Sequence, residues 1–463
     1  MTNNSALPDG LLLTFYGDDF TGSSAVLEVM TFAGLPAVMF IEPPTSEQLE
    51  RFAGYRAIGI ASTARAQPPA WMDANLPRAF RALAALRAPI AHYKVCSTLD
   101  SSATIGSIGH AIDIGIPILA DGRDAAAWQP LVIGAPAIRR YQAFGNVFAG
   151  HSGTIYRLDR HPVMQRHPVT PMHEADVRLH LASQTARLIG LVDFVAMKDG
   201  SGHARFKDEL QAGRSIVSLD VVDVETLQWV GELIWSGRRQ GLFAIGSQGI
   251  EYALVAHWLA EGALAEPPPP LPAARVTQII AASGSTSSAT ASQIDWAEAH
   301  GFEVIPLGAA AVLDERQWRA ELERVIADAG TALSQGRSPL VATARGPSDP
   351  AIEQMQERLS SSGFDAVTAN ARLGAGLGET VARVARKTGL SRGAVSGGDT
   401  SGFAMRAMGA YALEAIAPLA PGSPLCRVFS SEPEIETFEV ALKGGQMGAV
   451  DFFGAVREGR AIN

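Results

Sequence analysis

A chain of 463 residues with 47% hydrophobic residues can fill two cores, since single cores stop growing well below this length. The net charge is -9 with both signs spread along the chain, and no basic stripe marks nucleic acid as a partner. Anionic small ligands stay open, because local arginines and helix N-termini override a global charge. Two distant cysteines, Cys96 and Cys426, give no disulfide framework and fit a reducing compartment. The start, MTNNSALPDG, lacks the positive region of a signal peptide, and no apolar run approaches the roughly 20 residues of a membrane span. These features predict a soluble, cytoplasmic protein with no membrane partner.

Short apolar runs alternate with longer amphipathic segments, the pattern of βα units in parallel sheets. Predicted strands in the first half are Leu11–Tyr16, Ala37–Ile41, Ala57–Ser62, Ala91–Cys96, Leu131–Gly134, Phe194–Met197, Ile216–Val221 and Phe243–Gly246. Helical periodicity lies between most of them, as in Ser23–Ala33 and Val224–Trp235. The proline run Glu266–Pro272 predicts a stiff linker over 266–274. Beyond it the alternation restarts: strand Val276–Ala282, helix Thr290–His300, strand Phe302–Pro306, helix Glu315–Leu333 and strand Leu340–Ala344. Helices Pro350–Ser360 and Gly378–Lys387 come next. The fold class predicted is α/β in two domains, 1–265 and 275–463, each a largely parallel sheet flanked by helices.

Five polar turns lie where apolar runs end. Gly17-Asp18-Asp19-Phe20-Thr21-Gly22-Ser23 places paired carboxylates where open α/β sheets bind ligands. A helix cap needs only one of them. Lys94-Val95-Cys96-Ser97-Thr98-Leu99-Asp100-Ser101-Ser102 sets a cation beside hydroxyls and a carboxylate, a suitable set for an anion. Cys96 lies inside the strand run without a positioned histidine, so a buried structural thiol is favoured over a nucleophile. In the second half, Ser283–Ser288, Ser396–Gly402 and Lys443–Gly448 offer unshielded backbone amides, a carboxylate (Asp399) and a cation (Lys443). Three such turns in one domain favour a nucleotide site.

No Gly-Lys-Ser/Thr follows a glycine loop, so a Walker A site is excluded. Gly374-Ala-Gly376-Leu-Gly378 precedes a helix but follows no clear strand, which gives a dinucleotide fold poor support. The histidines from His151 to His180 are too widely spaced for a metal cluster. The RHPVMQRHPV echo reads instead as a substrate-contacting loop, with Arg160 and Arg166 available for a carboxylate.

Together these turns resemble the four-carbon acid sugar kinase family, formerly domain of unknown function 1537. The likeness rests on Asp18-Asp19-Phe20-Thr21-Gly22, on Lys94 with Ser97-Thr98-Leu99, and on Gly284–Gln293, Gly397–Gly402 and Lys443–Gly448. It spans nearly the whole chain. The resemblance implies a sugar-acid domain, an ATP domain, and catalysis in the cleft between them. The acid would meet Asp18, Asp19, Lys94, Ser97 and Thr98. ATP with magnesium (Mg2+) would contact Ser285, Gly397, Gly398, Asp399, Thr400, Gly444 and Gly445.

Many members read D-S-T-L-R-G-N where this chain has Cys96-Ser97-Thr98-Leu99-Asp100-Ser101-Ser102, so an arginine able to clamp a carboxylate is absent. That segment, with Asp159-Arg-His-Pro and Arg166–Met172, is similar to the branch acting on 3-oxo acids, 3-oxo-tetronate and 3-oxo-isoapionate. The expected function is therefore an ATP-dependent kinase for a hydroxyl of a small sugar acid. The alternatives are a kinase for a plain aldonic acid, such as erythronate or threonate, and a non-catalytic sensor of nucleotide and sugar acid. Asp19 is expected as the base that takes the hydroxyl proton, with Asp399 as second candidate and as a phosphate- or metal-side carboxylate. Asp100 accepts from substrate hydroxyls, and Lys94 or Arg160 holds the acid group. A homo-oligomer is compatible with the sequence.

Overall fold

The computed structural model describes residues 6–120, 125–151, 153–167 and 169–461, so Pro168 of the histidine-proline echo lies outside it. The chain divides into two compact units. One holds the chain up to Ala37 and Glu42–Pro268, and the other Val38–Ile41 and everything from Pro269.

The strands, in chain order, are β1 (Leu13–Gly17), β2 (Ala37–Phe40), β3 (Ala57–Ala61), β4 (Ile90–Lys94), β5 (Gln129–Val132), β6 (Arg140–Ala143), β7 (Asn146–His151), β8 (Thr154–Arg157), β9 (Ile189–Val192), β10 (Ile216–Leu219) and β11 (Leu242–Gly246). From the second half come β12 (Ile280–Ser283), β13 (Phe302–Pro306), β14 (Ser338–Ala342), β15 (Arg392–Ser396), β16 (Ala410–Ala420), β17 (Ser423–Ser430) and β18 (Glu439–Lys443).

In the first unit the sheet order is β3-β1-β4-β11-β5-β10-β9, and the pairings are parallel. β1, β3 and β4 are buried along their whole length, as strands covered on both faces must be, which explains the apolar run of β3 and the burial of His92 and Lys94 in β4. In the second unit β13-β14-β12-β15-β18 are parallel and β17 and β16 continue antiparallel. β2 pairs antiparallel with β16 through Phe40 and Ala412, and Met39 and Leu413, so a segment from early in the chain belongs to the later unit.

Three features differ from the sequence expectation. The segment Phe194–Met197 is helical (Phe194–Lys198), because Asp193 caps it by accepting from the Val195 and Ala196 amides at 3.0 Å; the strand is the preceding β9. The glycines of Gly374-Ala-Gly376-Leu-Gly378 lie inside the helix Ala366–Thr388 rather than before one. They are packing notches: a Cβ on Gly376 would come within 2.2 Å of the Trp318 ring, and one on Gly378 within 2.3 Å of the Ala404 carbonyl. Finally, β6, β7 and β8 form an antiparallel meander that short runs and Gly-rich turns concealed. Among the described residues no helix is long and apolar enough to cross a membrane.

Candidate functional site

Parallel register brings the ends of three strands level in the first unit. Gly17 pairs with Ala61 on one side and with Lys94 on the other, so the segments after β1, β3 and β4 leave the sheet at the same edge. Asp18 and Asp19 follow β1, Arg65 follows β3, and the Cys96–Ser102 segment follows β4.

Asp19 caps the helix Phe20–Phe32. Its Oδ2 accepts from the Thr21 hydroxyl at 2.9 Å, the Gly22 amide at 3.0 Å and the Arg65 guanidinium at 2.9 Å. Gly22 is required here, since a Cβ would sit 2.1 Å from Asp19 Oδ1 and 3.2 Å from Lys94 Nζ. The Asp18 backbone is tied on both sides: its N–H donates to the Lys94 carbonyl at 2.9 Å, and its carbonyl accepts from the Arg65 N–H at 2.8 Å. Its side chain is different. Asp18 is 1% exposed, and its Oδ1, like that of Asp19, has no hydrogen-bond partner among the described residues.

The two neighbouring carboxylates therefore differ in basicity. Burial, reinforced by the Asp19 charge, pushes Asp18 up to about 7 in spite of Arg65 and Lys94. Burial pushes Asp19 up as well, but Arg65, Lys94 and the Gly22 and Thr21 donors outweigh it and hold that carboxyl below the usual range. Arg65 also reaches Asp100 at 3.6 Å, which links the first turn to the third segment.

Within that third segment Thr98 donates to Asp100 at 2.9 Å and lies 2.9 Å from Cys96 Sγ. Burial and the Asp100 charge push the Cys96 thiol up to about 11, so it stays protonated and is no nucleophile at neutral pH. Ser101 is held by Gln184 Nε2 and His180 Nε2, each at 2.9 Å. Ser97 is buried on the same segment. The structure thus gathers Asp18, Asp19, Lys94, Ser97, Thr98 and Asp100 at one sheet edge. Arg160 is not tied into this hydrogen-bonded group: its side chain is 67% exposed and faces Asp159 at 3.6 Å.

The second unit repeats the device with opposite charge. Ser283 pairs with Ser396, and Ser396 with Lys443, so three turns leave adjacent parallel strands side by side. Ser287 caps the helix Ser288–Ala299 through the Thr290 amide at 3.1 Å and donates to the Gly445 carbonyl. Thr290 bridges Ser285 and the Gly445 carbonyl, both at 3.0 Å, and accepts from Lys443 Nζ at 3.1 Å. Gly397, at φ 127°, opens the helix Gly398–Ala407 with no side-chain cap. Added Cβ atoms on Gly284, Gly397 and Gly445 would strike Thr400, Thr400 and Ser285 at 2.3, 2.7 and 2.6 Å. These turns are therefore backbone surfaces that side chains are kept off, a cradle suited to phosphate oxygens. Lys443 is fully buried, and burial pushes its ammonium down to about 7. Asp399 lies exposed in the first turn of the glycine-started helix.

Sequence reasoning missed Arg65 and the weight of Asp18. The signal for Arg65 was its place just past the end of the predicted strand Ala57–Ser62, which the structure sets beside β1.

Residues 13–254 match the family of sugar-binding N-terminal domains, and 280–453 the family of nucleotide-binding C-terminal domains. A 3-oxo-isoapionate kinase of Paraburkholderia graminis is 48% identical over 99% of this chain and 97% of its own. A 3-oxo-tetronate kinase of Methylobacterium radiotolerans is 30% identical over 96% and 98%. A crystal structure from Salmonella typhimurium LT2 superposes with a TM-score of 0.73 at 21% identity, covering 95% of this chain and 97% of that one, and supports the fold.

Asp18 makes stability depend on pH. Its native value near 7 lies above the ordinary 3.8, so the native state holds a proton that the unfolded chain releases between them. The contribution is present below pH 4 and is lost as pH rises to 7. Asp18→Asn should therefore melt above the wild type at pH 8, with the gap narrowing at pH 5. Thermal denaturation at both values checks this, and a gap independent of pH would contradict it.

Proposed function

This chain belongs to the four-carbon acid sugar kinase family, formerly domain of unknown function 1537, and from that premise we propose that it phosphorylates a hydroxyl of a 3-oxo sugar acid with ATP. It is a phosphotransferase with an alcohol group as acceptor. The finer assignment places 3-oxo-isoapionate first and 3-oxo-tetronate second, in the order of the identities, 48% and 30%. The observation that carries the reading is the buried Asp18 carboxylate, poised near neutrality at the end of β1 in the unit that matches a sugar-binding domain.

Phosphoryl transfer needs positioning and charge neutralisation more than covalent help from the protein. In the proposed mechanism Asp18 Oδ1 takes the proton of the acceptor hydroxyl as its oxygen bonds to the γ-phosphorus and the bond to the β,γ-bridging oxygen breaks. A base with a value near the working pH suits that task. Asp19 is the weaker base, because three donors hold its Oδ2 ionised; its role is to fix Arg65 and the helix start. This assignment replaces the expectation that Asp19 is the base. Asp100 and Thr98 meet hydroxyl or ketone oxygens of the acid. On the second unit the amides around Gly284, Gly397, Gly398, Gly444 and Gly445 and the Lys443 ammonium receive the polyphosphate of MgATP, with Ser285 and Thr400 beside them. Asp399, exposed at that helix start, is the carboxylate that would meet the magnesium.

ADP release from MgATP, measured with 3-oxo-isoapionate, 3-oxo-tetronate, erythronate and threonate, tests the assignment. The two oxo acids should show the higher kcat/KM, and equal or better rates with the reduced acids would overturn the substrate class. Asp18→Asn should lower kcat by roughly 10²–10⁴ with little change in KM, whereas wild-type turnover in that variant would remove Asp18 as the base.

Lys443 supplies a further check. Its ammonium is pushed down to about 7 by burial, and a bound polyphosphate restores its ordinary preference for the proton. Nucleotide binding at pH 8 should therefore take up a proton. Calorimetry in two buffers of different ionisation enthalpy should show uptake in the wild type and none in Lys443→Met. Equal uptake in both would place the proton elsewhere.

A further inference from the structure

Building on the sugar-acid kinase reading, we propose that the meander β6–β8 supplies the carboxylate subsite, with Arg140 as the guanidinium that the Cys96–Ser102 segment lacks and His161 as a fixed N–H donor beside it.

Side chains alternate along strands, and cross-strand partners share a face. Arg140 pairs with Ala149, Ala149 pairs with Tyr156, and His151 lies two residues beyond Ala149. All four therefore occupy one face of the meander. That face is turned inward, because Val147 and Ala149 are fully buried in the same core as Val95 and Leu99 of the segment after β4. The polar end of the face, Arg140 with His151 and Tyr156, accordingly lies towards Cys96–Ser102. Burial pushes the Arg140 guanidinium down, and the Asp100 charge of that segment opposes the shift, which agrees with this placement.

The guanidinium is not consumed by the fold. Among the described residues its Nη1 makes only long bonds, at 3.3–3.4 Å, to the carbonyls of Ile138, Arg139 and Gly150. Its Nε is buried with no partner among the described residues. A buried N–H is normally satisfied, and a planar fork with an unused edge matches the two oxygens of a carboxylate. The other cations near the Asp18 turn are committed. Arg65 binds Asp19 at 2.9 Å and faces Asp100 at 3.6 Å, and Lys94 Nζ donates to the Val95 carbonyl at 2.9 Å.

His161 completes the subsite as a neutral donor. Its Nδ1 accepts from the Val163 and Met164 amides at 3.2 and 3.3 Å, which leaves the proton on Nε2. Burial, with His151 and Arg140 nearby, lowers it to about 4, so it stays neutral while its ring packs 5.3 Å from that of His151 and 5.9 Å from that of Tyr156. The carboxylate would thus be recognised from the meander, and the reacting hydroxyl from the β1 turn.

The test compares wild type, Arg140→Gln and Arg140→Lys with MgATP and the oxo acid that the wild type turns over. Arg140→Gln should raise KM for the acid roughly 10- to 100-fold, the range for a lost charge-assisted hydrogen bond, with kcat within a few-fold and KM for ATP unchanged. Arg140→Lys should recover part of the loss and also serves if the glutamine variant is unstable. A wild-type KM in both variants overturns the subsite while leaving the kinase reading intact. Should the wild type turn over neither oxo acid, the proposed function fails and the subsite is judged separately with tartrate as the probe. Tartrate raising the Tm of wild type but not of Arg140→Gln supports it. An equal rise in both, or no rise in the wild type, overturns it.

Discussion

Two carboxylates in one buried turn cannot both carry a full charge without a cation to divide them, and in this protein Arg65 makes the division. Its guanidinium hydrogen-bonds Asp19, so the cations outweigh burial on that carboxyl while burial outweighs them on Asp18. That asymmetry depends on register. Gly17, Ala61 and Lys94 stand level across β3-β1-β4, and a slip of one residue would turn Arg65 or Lys94 away from the turn. The sheet is thus the device that sets the basicity of a single side chain.

The later unit meets the mirror-image problem. Lys443 is a buried cation that among the described residues donates to a hydroxyl and a carbonyl, and the glycine turns around it offer donors instead of counter-charge. Each unit therefore carries a local charge imbalance, which under the proposed function a ligand would relieve: a proton leaving a hydroxyl in one, a polyphosphate in the other. Side chains are absent from the cradle for a steric reason, since Cβ atoms at Gly284, Gly397 and Gly445 would collide with Thr400 and Ser285. On the proposed function, affinity in both sites would be held at the expense of the ligand-free state, which is how binding energy becomes available for positioning.

Much of this was legible before the fold was known, because parallel sheets place function at strand ends and the strands announce themselves as apolar runs. Asp18–Gly22, Lys94–Ser102 and the three turns of the second half were found in that way. What escaped has physical causes. Arg65 and Arg140 sit in segments without a motif, and their importance comes from neighbours 46 and about 40 residues distant, through register rather than through local pattern. Arg160, adjacent to a suggestive His-Pro pair, is exposed and faces Asp159. The helix Phe194–Lys198 reads as a strand in sequence because four apolar residues carry no period of their own, and the cap at Asp193 distinguishes the two.

The placement of β2 bears on how such a protein can be divided or recombined. Because Val38–Ile41 belongs with the later unit, the chain passes between the units at three places instead of one. A protease that nicks the proline run would leave the two halves still joined by the early segment. A gene fragment beginning at residue 269 would encode that unit without the strand that pairs with β16, leaving unpaired edge groups that invite association with other chains. Exchange of nucleotide modules among relatives of this architecture therefore has to carry a few residues from near the start of the chain, and in that sense its inheritance is not modular.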